Sequence, residues 1–146
     1  MARFAIVLCR NRSLGSAFLR FAMWSRWSHS ALLDRATGVV YDSTLTHGGV
    51  RKWDAAAFAK RYPFMEVRPL DVPEAFHAVA AEWLEQQLGK RYDWTALLSF
   101  VVRRDWSESD AWFCSEMTEA FYTLFVRARF RFAARRVTPA HQDMIA

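Results

Sequence analysis

The stretch WSHSALLD (residues 27–34), followed by GVVYDS (residues 38–43), decides how this chain is read. His29 to Asp34 and Val39 to Ser43 each have the length and composition of a strand. Asp34 to Gly38 joins them as a hairpin-like turn, with Gly38 supplying backbone angles that other residues resist. His29 opens the first strand. A strand holds a side chain in a fixed direction, which suits a catalytic base, although a buried core histidine fits the same position. The second strand carries Tyr41-Asp42-Ser43. If the strands pair, one of these three faces the His29 ring, and a carboxylate there fixes the tautomer and steadies the imidazolium.

Upstream, Arg3 to Cys9 reads as a buried strand, Asn11 to Gly15 as a turn, and Ser16 to Trp24 as a short helix with Ala17, Phe18, Phe21 and Ala22 in helical spacing. Downstream, Gly48 and Gly49 break the chain before a run from Val50 to Trp53. Asp54 to Arg61 forms a short helix that stops before Pro63, and Phe64 to Leu70 another strand. Pro73 to Leu88 is the clearest helix, with Phe76, Val79, Ala80, Trp83, Leu84 and Leu88 on one face and Gly89 as its stop. Trp94 to Val102 is apolar and helical in pattern. Ser109 or Asp110 caps a helix that runs to about Val126, with Phe113, Met117, Phe121, Leu124 and Phe125 as its core stripe. Phe130 to Val137 is strand-like, and Thr138 caps a last short helix. No repeat or linker interrupts the order, so residues 1–146 read as one α+β domain.

The composition narrows the class. The 146 residues are 53% hydrophobic and 16% aromatic, enough for a packed core. Two cysteines, Cys9 and Cys114, are too few for a disulfide scaffold or a four-cysteine zinc site. The run from Phe4 to Leu8 is short and its charge, Arg10 and Arg12, follows it, unlike a signal peptide. No stretch is apolar for long enough to span a bilayer. A cytoplasmic protein is the default expectation, with delivery elsewhere left open. The net charge is +5, and Arg127, Arg129, Arg131, Arg135 and Arg136 concentrate it near the C-terminus. Such a face is either merely solvated or attracts phosphate, an acidic polymer or a membrane surface.

Cys114 falls in the first turn of its expected helix. Unpaired amides and the helix dipole favour a thiolate there, and the same amides can stabilise an oxyanion. A small buried hydrophobe is the plainer reading of such a cysteine. His29, His47, His77 and His141 are the available bases. His77 lies next to the apolar face of the clearest helix and reads as structural. His141 is near the terminus, and His47 sits in a Thr-His-Gly-Gly loop.

Taken in order, WSHSALLD, GVVYDS, HGGV, KRYDW and AWFCSE resemble the circularly permuted branch of the NlpC-type peptidases, within the papain-like superfamily. Lecithin retinol acyltransferase-like enzymes are related members. In that branch the histidine strand precedes the cysteine helix, as it does here. The resemblance runs from about Phe4 to Pro139 and includes the Val137-Thr138-Pro139 ending. It implies a papain-like fold with an antiparallel sheet packed against the cysteine-bearing helix. It also implies Cys114 as nucleophile, His29 as base and Asp42 as third residue, with His47 as the competing orienter. Tyr92 is implied as an accessory to the oxyanion, and Ser115 and Glu116 as supports of the helix start.

The mechanism that follows is acyl transfer through a thioester, with no metal or organic cofactor required. Peptides, peptidoglycan fragments or acyl lipids are the substrate classes implied, and peripheral membrane contact is compatible with the composition. Two rivals remain. The first is a non-enzymatic module binding nucleic acid through the Arg-rich segment and its Phe130 and Phe132. The second is a metal site built from Cys114, His29 and Asp42.

Overall fold

The structure, a computed structural model, describes residues 1–93, 111–127 and 137–144. Over these residues the fold is α+β, with a seven-stranded sheet in the order β5-β1-β2-β3-β4-β6-β7. The strands are β1 (Phe4–Arg10), β2 (His29–Asp34), β3 (Val39–Thr44), β4 (Gly49–Asp54), β5 (Phe64–Leu70), β6 (Arg91–Tyr92) and β7 (Ala111–Trp112). All neighbours are antiparallel except β6 and β7, which run parallel. The helices are α1 (Leu14–Ala22), α2 (Ala55–Arg61), α3 (His77–Gln87), α4 (Cys114–Phe125) and α5 (Pro139–Met144).

Strand periodicity divides the core in two, because alternate side chains of β1 point to opposite faces of the sheet. Phe4, Ile6 and Leu8 join Leu32, Tyr41, Ala80, Leu84, Met117 and Phe121, the cluster covered by α3 and α4. Val7 and Cys9 join Ala31, Val40, Phe58 and Tyr62, the cluster covered by α2. The β2–β3 hairpin forms as expected. Gly38 takes φ +70°, its N–H donates to Asp34 O at 2.9 Å, and Arg3 holds the Asp34 carboxylate with two bonds of 3.1 and 2.9 Å. Gly49 has a different reason to be glycine: a Cβ there would lie 2.0 Å from Lys90 O, so only glycine lets the chain before β6 approach β4.

Several expectations need correction. The clearest helix of the sequence does not start at Pro73: Glu74–Phe76 form a 3₁₀ turn and the α-helix begins at His77. That tighter turn takes Phe76 off the core stripe, and Phe76 and Val79 are exposed while Ala80 and Leu84 are fully buried. The cysteine helix is not capped by Ser109 or Asp110. Ala111 and Trp112 pair with Arg91 and Tyr92, Phe113 stays extended at ψ 148°, and the first helical residue is Cys114. Leu124 of its supposed core stripe is exposed, and buried Thr118 and Glu119 share the inner face with Met117 and Phe121. The helical pattern read over Trp94–Val102, the caps Ser109 and Asp110, and the stretch 128–136 lie outside the described residues. Among the described residues no helix is long and apolar enough to cross a membrane.

Candidate active site

The site forms where β2 begins and α4 begins. Cys114 is the first residue of α4, and the peptide ahead of it is held by β7. The Phe113 N–H donates to Glu116 Oε2 at 3.4 Å, so Glu116 closes the helix start from inside. Ser115 Oγ donates to Val137 O, and Gln142 Nε2 of α5 donates to Ser115 O at 3.1 Å and to Thr118 Oγ1 at 2.6 Å. Ser30 Oγ of β2 shares a 3.2 Å bond with Thr118 Oγ1. This buried polar net ties the cysteine helix to the histidine strand on one side and to the C-terminal segment on the other. Each of its groups would cost free energy if left unpaired.

His29 is buried and has three kinds of neighbour. Its Nε2 lies 3.2 Å from Asp42 Oδ2. Cys114 lies close enough to act electrostatically on the ring, and both residues line the same groove. Its ring stacks on Tyr62, with centroids 5.3 Å apart and planes 15° from parallel. Asp42 is itself positioned, because Trp53 Nε1 donates to its other oxygen, Oδ1, at 2.8 Å. Burial is the largest single influence on His29 and opposes its charge. Electrostatic attraction from Tyr62 and Cys114, with the hydrogen bond to Asp42, outweighs it and raises the histidine pKa well above its ordinary value.

The sulfur opens onto a groove of about 250 Å³ lined by Ser16, Leu19, His29, Tyr62, Tyr92 and Cys114, among others. Tyr92 reaches this groove from β6, and its ring packs 5.9 Å from Phe113. Burial, then the charges of Cys114, Asp93 and Tyr62, push the Tyr92 hydroxyl pKa up, so it stays protonated and can donate. His47 is placed elsewhere. Its Nε2 bonds Arg61 Nη1 at 2.7 Å and its ring lies 5.0 Å from Trp53. His77 bonds Val72 O at 3.0 Å and meets Phe4 edge-on, a structural setting. Among the described residues no group of three or more His, Cys, Asp or Glu side chains is arranged to hold a metal ion.

Of the five candidate residues, the fold brings Cys114, His29, Asp42 and Tyr92 together and leaves His47 out. Three contributors escaped the sequence. Tyr62, read only as the residue between a helix and Pro63, supplies the face under the imidazole. Trp53 anchors Asp42. Gln142, in a terminal segment with no motif, anchors the cysteine helix. None carries a local signal, since each acts across a tertiary contact. Compared with known proteins, the chain matches no family model, no curated protein and no solved structure.

Proposed function

We propose that the chain is a cysteine hydrolase with a permuted papain-like fold, cleaving an amide through a thioester on Cys114. The observation that carries this reading is that Cys114, first residue of a helix, and His29 line one open groove, with His29 bonded to Asp42 and Asp42 to Trp53. A histidine of raised pKa beside a thiol favours the imidazolium–thiolate pair. The thiolate attacks the carbonyl carbon, and the first amides of α4 face the developing oxyanion. His29 then gives its proton to the leaving amine as the carbon–nitrogen bond breaks. Water, deprotonated by His29, attacks the thioester, and the acid leaves as Cys114 is restored. Asp42 holds the ring and balances its charge throughout.

Peptide amides, such as those of cell-wall fragments, are the first substrate class. A lipid amide or ester is the second, and a specific observation favours it: α1, which lines the groove through Gly15, Ser16 and Leu19, turns large apolar side chains to solvent. The test is to expose the protein to cell-wall peptides and to acyl lipids separately and weigh the intact protein at short times. An acyl adduct on Cys114, absent in Cys114→Ala, is the expected result, and the class that yields it names the substrate. No adduct from either class, together with no burst of p-nitrophenol from p-nitrophenyl acetate, would overturn the reading.

A further inference from the structure

Helix α1 is packed inside out. At 100° per residue, Leu14, Phe18 and Phe21 fall within about 60° of one another on one face. That face is in solvent, with exposures of 90% for Leu14, 61% for Phe18 and 78% for Phe21. The inner face is carried by Ser16, Leu19 and Met23, and Ser16 spends its hydroxyl on a 2.7 Å bond to Ser28 Oγ. Trp24 continues the outer surface at 91% exposure. It does so at φ 49°, in the left-handed position after the helix that glycine usually fills, with Ser25 N–H closing onto Arg20 O at 3.0 Å. An exposed tryptophan in that conformation gains no packing within the described chain.

The charge carried by this segment of the chain has one sign. From Arg10 to Leu33 the sequence holds Arg10, Arg12, Arg20 and Arg26 and no Asp or Glu. Arg26 pairs with Glu66 and Asp143. Arg10, Arg12 and Arg20 make no ion pair among the described residues. The first two rest over the ring of Phe64, at 5.0 and 5.4 Å, and Phe64 is itself partly exposed. Self-association is disfavoured, because a two-fold contact between two α1 faces would bring these arginines up against their own copies. Apolar side chains flanked in sequence by arginines without an acidic partner suit the boundary between acyl chains and anionic headgroups.

We propose that α1 docks this protein on an anionic lipid bilayer, with Leu14, Phe18, Phe21 and Trp24 entering the interface and Arg12 and Arg20 meeting headgroup phosphates. The opposite, inner face of the same helix lines the Cys114 groove through Ser16 and Leu19, so docking holds the groove close to the membrane. This role goes beyond the thiol chemistry and does not depend on it.

The test is flotation with vesicles of equimolar phosphatidylcholine and phosphatidylglycerol, and with vesicles of phosphatidylcholine alone. Cys114→Ala protein serves throughout, so failure of docking and failure of the hydrolase reading are separate results. The protein should float with the anionic vesicles, and raised salt should release it. Phe18→Ser with Phe21→Ser should lower the partition at least about tenfold, as loss of two buried aromatics requires. Arg12→Glu with Arg20→Glu leaves the apolar face intact and should give a comparable loss, so a folding defect in one variant cannot imitate the result. The proposal is overturned by no flotation, by equal flotation on neutral vesicles, or by flotation that neither pair of substitutions alters. It is also overturned by a lipid-free dimer, seen on sedimentation, that Phe18→Ser with Phe21→Ser dissolves.

Discussion

Cys9 and Cys114 are almost equally hidden, at 0% and 2% exposure, yet their surroundings differ. Cys9 lies in the middle sheet layer among Val7, Ala31, Val40, Phe58 and Tyr62. Burial pushes its thiol pKa up to about 12, against the smaller pull of His29. Cys114 lies at a helix start, beside the same histidine, on the wall of a groove. Cys114 is close enough to enter the electrostatics of Cys9. Fractional burial therefore says little about a thiol's reactivity; the partner, the backbone amides and the groove decide it.

The sharpest way to break this comparison is to remove one sulfur at a time. Cys114→Ala should abolish alkylation by iodoacetamide at about pH 6 and lower hydrolysis by about ten-thousand-fold or more. Cys9→Ala should leave both intact. Peptide mass mapping of the labelled protein gives the answer, and equal labelling of the two cysteines would mean that Cys114 is structural.

His29→Ala tests the partner. Labelling of Cys114 at about pH 6 should slow on the order of a hundredfold, with Cys9 unaffected. The same variant reads the histidine's contribution to stability. A proton bound more tightly in the folded state stabilises it. That contribution is full below the unfolded histidine value of about 6.5 and is lost as pH rises through the raised folded value. Thermal unfolding at several pH values should show the gap between wild type and His29→Ala shrinking as the solution becomes alkaline. A gap that widens with pH would show that the ring is held neutral.

Asp42→Asn should keep the fold and lower turnover roughly tenfold to a hundredfold, because the ring loses a charged orienter but keeps its hydrogen-bonding shape. His47→Ala, bound to Arg61 and away from the ring, should leave turnover unchanged. Steady-state kinetics on whichever substrate forms the adduct distinguishes the two, and the reverse pattern would reassign the third residue. The smallest effect is expected at Gln142→Ala. Ser115 O and Thr118 Oγ1 lose a buried donor, at a cost of about 1–3 kcal/mol in urea unfolding. Cys114 labelling should slow a few-fold as the helix start loosens, while Cys9 stays as it was.

Much of the site was legible because it depends on local pattern. The His29 strand, the Gly38 turn and the Asp42 strand follow from residue spacing, and pairing of the two strands sets Leu32 against Tyr41 and Leu33 against Val40. That register puts His29 and Asp42 on the α2 side of the sheet with Val40 and Ala31. The start of α4 was misread because Ser109 and Asp110 are good caps in isolation, whereas the parallel pairing of β6 with β7 keeps the chain extended to Phe113. Propensity lost to a tertiary hydrogen-bond ladder.

Helix α1 marks the division between what the sequence determined alone and what the tertiary structure decided. Its periodicity is plain in the sequence, and the helix is there, capped by Ser13, whose side chain accepts the Ser16 N–H at 3.1 Å. Periodicity names the apolar face but not the direction it points, because a helix can be rotated about its axis without changing its own hydrogen bonds. The direction was decided by Ser16 finding Ser28 and by Met23 packing on Phe113 and Cys114. In the same way the sequence alone determined that His29, Asp42 and Cys114 stand on two strands and a helix. That a tyrosine, a tryptophan and a terminal glutamine hold them in place was decided by contacts between residues far apart in the chain, which no local pattern encodes.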